Sequence, residues 1–141
     1  MRTYYVFKIN SNLYPIGERR PVSIYKLLTK IKKMNREEYD IAKRVYNKMV
    51  LPINKKMLDN YLVMNHMNDI YYCKKNNEHR LCSSYEESKI KIYNTFLKLV
   101  TTNNISSFFK DLYSIDNNYF FVDFENNDYF FLSDFKLKLL V

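Results

Sequence analysis

His66, Cys73, His79 and Cys82 are the only histidines and cysteines in the chain, and they are the residues whose types suggest metal chemistry. A structural zinc site needs four nitrogen or sulfur ligands at close spacing. These four match neither a C-x-x-C redox pair nor a finger pattern, so solvent-facing histidines and half-buried free thiols are expected, with no metal. Ser83 and Ser84 lack the strained elbow and adjacent base of a hydrolase nucleophile. Carboxylates are paired at Glu37/Glu38, Glu86/Glu87 and Asp123/Glu125. The first pair suits the start of a helix. The last flanks Phe124, without the nearby Lys or His that a metal-dependent nuclease requires. Gly17 is the only glycine, which rules out every glycine-rich phosphate cradle. No catalytic residue, cofactor or small-molecule substrate is expected, and the chain reads as a binding protein rather than an enzyme.

The alternative is a basic nucleic-acid-binding protein. The net charge is +8 and unevenly spread: residues 1–60 hold 14 Lys/Arg against 5 Asp/Glu, and residues 61–141 hold 9 against 10. Arg19, Arg20, Lys26, Lys30, Lys32, Lys33 and Arg36, near Tyr14 and Tyr25, form an electrostatic footprint. No helix-turn-helix glycine and no RNP-like aromatic strand accompanies it. The stretch from Asp111 to Asp134 holds six acids and no base, so it would repel a phosphate backbone. Direct nucleic-acid binding is therefore disfavoured, and an acidic protein partner facing the first half is preferred.

The elements that would position these residues follow from periodicity. With 47% hydrophobic and 17% aromatic residues, the chain has enough apolar surface to offset the entropy of ordering. Its Asn, Lys, Ile, Tyr and Phe content suggests an AT-rich genome, so its 14 tyrosines do not by themselves mark a recognition surface. Thr3 to Ile9 is β-branched and aromatic and predicts a central strand. Residues 10–20 read as a loop. Pro21 opens a helix with Ile24, Leu27, Leu28 and Ile31 on one stripe. Asn35 is a candidate cap for a second helix, with Tyr39, Ala42, Tyr46 and Met49 buried and Pro52 ending it. Asn54 caps a third, through Met57, Leu58, Tyr61 and Leu62.

Ile70 to Cys73 predicts a short strand, and residues 74–87 an exposed, mobile loop. Residues 89–100 read as a hairpin around Asn94-Thr95, and Ser106 to Ile115 as a helix. Residues 119–132 form a second hairpin, and Phe135 to Val141 an edge strand or docked tail. The sum is a single α+β domain over residues 1–141: a mainly antiparallel sheet, with an N-terminal strand and C-terminal hairpins, packed by about four helices. The start of the chain shows no apolar leader and no run approaches the ~20 residues of a membrane span, so a cytoplasmic protein without membrane association is expected.

Several of these features, taken in order, resemble the sporulation inhibitor of replication family, SirA. They are Tyr4-Tyr5 with Ile9; Tyr14 and Gly17 in the following loop; Tyr39 and then Pro52-Ile53; Thr95 to Thr101; Phe108-Phe109 with Leu112; and Val122-Asp123-Phe124 with Phe131-Leu132. Residues 66–88 depart from the pattern. The resemblance implies an inhibitor that binds the N-terminal domain of the replication initiator DnaA and blocks new rounds of replication as sporulation begins. It implies a contact surface of Leu13, Tyr14 and Ile16 in the loop with Arg44, Val45 and Lys48 on the second helix. Independently, Val45 lies at the margin of that helix's apolar stripe, and Leu13 and Ile16 are apolar loop residues. Such anchors on a basic rim suit protein docking.

Overall fold

Strand β1 (Arg2–Ile9) grows from the β-branched and aromatic run at the N-terminus, and everything else is built around it. It pairs antiparallel with β6 (Leu97–Thr101) on one side and β7 (Tyr119–Asp123) on the other. Beyond β6, its last residues Lys8 and Ile9 pair with β2 (Val50–Leu51). The computed structural model describes residues 1–10, 12, 20–33, 38–116 and 118–135. Eight strands form one antiparallel sheet in the order β3-β4-β5-β6-β1-β7-β8, with β2 off this path. The outer strands are β3 (Tyr72–Lys75), β4 (Glu78–Cys82), β5 (Glu87–Ile92) and β8 (Asp128–Phe131). Two of the hairpin turns place Asn76 and Asn127 at positive φ, a conformation asparagine tolerates better than most residues.

Alternation along the strands gives the sheet two faces. On the first, α3 (Lys55–His66) and α4 (Phe108–Ile115) bury Leu58, Leu62, Phe108, Phe109 and Leu112 against Tyr4, Val6, Ile90, Ile92, Leu97, Leu99 and Phe121. The Tyr4 ring meets Phe109 and Phe121 edge-on, each at 5.7 Å. Asn54 caps α3 as its sequence predicts, its side-chain oxygen accepting from the Met57 amide at 3.1 Å. On the second face, α1 (Pro21–Lys33) and α2 (Tyr39–Met49) cover only β1, β7, β8 and β2, through Leu28, Met49, Phe7, Ile9, Val50, Phe120, Val122 and Phe131.

The fold class, the central first strand and both predicted hairpins are as the sequence implies. Residues 74–87 are not a loop: they carry the end of β3, all of β4 and the start of β5. The misleading signal is the inward position of a polar residue, His79, between outward-facing charges. The strand expected from Ile70 begins at Tyr72 instead. Helix α2 ends at Met49 rather than at Pro52, because Val50 and Leu51 are drawn into pairing with β1. Tyr39 is exposed, not buried: α2 is anchored at its C-terminal end, and its first residue reaches past the apolar cluster. Met57 is likewise exposed, and of the α1 stripe only Leu28 is fully buried. Leu132 to Phe135 form a 3-10 turn; Asn35 and residues 136–141 lie outside the described residues.

Candidate functional site

The polar residues singled out for chemistry are held as structural joints. His79 is fully buried, contrary to the solvent-facing position expected of it, because β4 turns it inward against α3. Its Nε2 donates to Asp59 Oδ1 and its Nδ1 accepts from the Tyr72 hydroxyl, each at 2.6 Å. Burial holds the His79 pKa below the usual histidine range although Asp59 opposes the shift, which favours this neutral tautomer. An acid–imidazole–hydroxyl line has the order of a nucleophilic triad. Burial, however, pushes the Tyr72 hydroxyl up to about 12, so it stays protonated as a donor. His66 is mostly covered too; its Nε2 lies 2.7 Å from Asp111 Oδ2, a bond that raises its pKa. The Tyr72 ring stacks between the two imidazoles, at 5.4 and 5.9 Å.

The remaining carboxylates are engaged in the same way. Glu86 is buried and accepts hydrogen bonds from the Ser88, Ser106 and Ser107 hydroxyls and the Ser107 amide, satisfying donors at the start of α4. Asp123 accepts from Arg2 Nε at 2.8 Å and Asn126 Nδ2 at 2.7 Å, while Glu125 sits exposed in the turn beyond. Cys73 and Cys82 are free and exposed on the outer strands, not half-buried. Among the described residues, no three of His, Cys, Asp and Glu are gathered in a way that would hold a metal ion.

Helix α2 carries a different kind of surface. Ala42, Tyr46 and Met49 face the molecule, with the Tyr46 ring edge-on to Phe7 and its hydroxyl 2.9 Å from Thr95 Oγ1. Away from that side, Ile41, Arg44, Val45 and Lys48 stand at i, i+3, i+4 and i+7, which is one ridge of a helix. Arg44 and Lys48 are exposed, Val45 is half-buried, and Ile41 leaves 60% of its surface in solvent. The flank is basic, with Lys26, Lys30, Lys32 and Lys33 exposed on the neighbouring α1 and Lys43 on α2 itself. The end of β1 is tied to this helix: the Asn10 amide donates to Met49 O at 2.8 Å, and its side chain donates to Lys48 O at 3.2 Å. Asn10, the residue after β1, is therefore fixed beside the last turn of α2.

A family model described as sporulation inhibitor of replication protein SirA matches residues 2–136, nearly the whole chain. The chain belongs to the SirA family. No curated protein sequence matches it closely. The SirA family is named for a regulatory role, inhibition of replication at sporulation, and not for a reaction. Of the residues that the resemblance implies for the SirA contact face, Arg44, Val45 and Lys48 fall on the α2 ridge, and Leu13, Tyr14 and Ile16 lie outside the described residues. Ile41 extends the ridge by one turn and was missed. Its place four residues before Val45 was the available signal, hidden by the assumption that Tyr39 headed a buried stripe. Among the described residues, no helix is long and apolar enough to cross a membrane.

Proposed function

We propose that this chain inhibits initiation of chromosome replication during sporulation by binding the N-terminal domain of DnaA in the cytoplasm. Membership of the SirA family is the observation that carries this reading. The docking face is assigned to Leu13, Tyr14 and Ile16 of the loop after β1, with Ile41, Arg44, Val45 and Lys48 of α2. An exposed isoleucine and a half-buried valine between two cations supply an apolar centre with a charged rim. Inhibition is steric: the bound chain covers an initiator surface needed for self-assembly or for loading of helper proteins. An interface below about 1,600 Å² suffices for a transient regulator. Titration of the chain into the host's own DnaA N-terminal domain at physiological salt tests the reading. A stable complex is expected; absence of any complex overturns it.

A further inference from the structure

The second face of the sheet is only half covered. Among the described residues, α1 and α2 lie over the β1–β7–β8 side, while β6, β5, β4 and β3 turn their outward residues to solvent. The strand register sorts those residues into rows. One runs Lys75, Glu78, Lys91, Lys98, Tyr5; the next runs Cys73, Arg80, Lys89, Val100, Thr3. Arg80 is paired with Glu78 at 2.6 Å, but Lys75, Lys89, Lys91 and Lys98 have no ion pair among the described residues. Lys91 and Lys98 stand directly opposite each other across β5 and β6, a like-charge pair that costs stability, with Glu78 facing Lys91 from β4 on the other side.

The first row ends at β1 in Tyr5, one of a group of aromatic rings. Tyr93 stacks on Phe96 at 4.6 Å, and Tyr5 lies 6.0 Å from Phe96 and 5.7 Å from Phe124. Cations flank them: Lys91 Nζ is 5.4 Å from the Tyr93 centroid and Lys32 Nζ is 4.2 Å from that of Phe124. Tyr5, Phe124, Lys32 and Lys98 line a cleft of about 240 Å³, to which Thr3, Asp123 and Glu125 also contribute. Asp123 is already held by Arg2 and Asn126.

We propose that this open face binds single-stranded DNA without sequence preference, its phosphates over the lysine rows and a base in the Tyr5–Phe124 cleft. Basic grooves beside stacking rings are how such strands are held. An acidic protein would supply charge to the lysine rows but no flat base for the cleft, and the poly-glutamate arm of the test separates the two. Duplex DNA keeps its bases stacked and out of reach of the cleft. The choice of DNA rests on membership of a family that acts on replication, where strands are separated. The sequence-based objection, repulsion by the acidic C-terminal hairpin, is met by the fold. Asp123 and Asp128 are paired with Arg2, Asp111 with His66 and Asp116 with Lys8, and β8 lies at the edge opposite β3; Glu125 stays exposed at the cleft, where the uncharged base and not a phosphate is placed.

The test is fluorescence anisotropy of a labelled oligo(dT) of about 20 nucleotides with the full chain and no other protein, so it stands apart from DnaA binding. Binding is expected to weaken as salt rises, by about 0.7 log units per log unit of salt for each phosphate contacted. Lys89→Glu with Lys98→Glu should weaken it about tenfold or more, whereas Lys26→Glu with Lys30→Glu on α1, of equal net charge, should change it by about threefold or less. Lys75→Glu with Lys91→Glu should repeat the loss, and replaces the first pair if thermal melting shows that pair unfolded. No binding at low salt, equal losses in the sheet and α1 variants, or equally tight binding of oligo(U), duplex or poly-glutamate would overturn the proposal.

Discussion

The two sides of the sheet are built to different standards. On the side of α3 and α4, large rings are sealed completely: Phe108, Phe109 and Phe121 expose nothing, and the buried polar groups His79, Glu86, Ser88 and Asp123 all have partners. On the side of α1 and α2, the sheet residues Phe120, Val122 and Phe131 are sealed too, but the helices hold less: one residue of α1 and two of α2 are buried, against two of α3 and four of α4. Ile41 and Val22 stay in water, as Met57 and Met64 of α3 do. A sealed side fixes the fold, and the loosely covered side is free to carry recognition. Substitutions on the first should therefore be read in stability, and those on the second in binding.

The largest effect on stability is expected from Phe109→Ala, which leaves a cavity beneath Tyr4 and should cost about 3–5 kcal/mol, seen as a lower urea midpoint. Glu86→Ala strands the Ser106 and Ser107 donors at the start of α4 and should cost about 2 kcal/mol in the same measurement. An unchanged midpoint in either would mean that the first side is not the stabilising one.

Acid should act through the same side. Burial alone would raise the carboxyls of Asp59, Glu86 and Asp123, but the donors around them hold all three below their ordinary values. Their contribution is complete above the unfolded values of 3.8 to 4.5 and is lost as pH falls through the lowered folded ones. Near neutrality the two histidines act on opposite sides of pH 6.5. His66, raised by Asp111, contributes fully below 6.5 and loses this as pH rises through its folded value; His79, lowered by burial, loses stability as pH falls below 6.5. Chemical denaturation across this range should show a stability maximum near pH 6.5 for the wild type, falling on the alkaline side through His66 and on the acid side through His79. In His66→Gln only the His79 contribution remains, so the fall above pH 6.5 should disappear while the fall below it stays. The smallest effects belong to the second side: Arg44→Ala and Ile41→Ser should shift stability by no more than about 0.5 kcal/mol.

What was legible in the sequence follows the same division. The run from Thr3 to Ile9, the helix at Phe108-Phe109 and the two hairpins were readable because each buries an apolar pattern with its own period. Strands β3 and β4 were not, because their outward residues are charged and one inward residue is a histidine satisfied by Asp59 and Tyr72. The Asn76-Asn77 pair, a fitting two-residue hairpin turn, was the available clue. On α2, Arg44, Val45 and Lys48 came from the family resemblance, and the helical repeat alone would have added Ile41. Of the lysine rows, the predicted hairpin around Asn94-Thr95 already set Lys91 opposite Lys98, whereas their extension to Lys75 and Arg80 needed the register of the unread strands β3 and β4.

Docking through the α2 ridge is tested most directly by titrating the DnaA N-terminal domain with the wild-type chain, with Arg44→Glu/Val45→Glu, and with Glu86→Ala as a destabilised control from the far side. The ridge variant should melt like the wild type and bind at least about tenfold more weakly, while the control binds normally at a temperature where it is folded. Wild-type affinity in the ridge variant would contradict the assignment of this face.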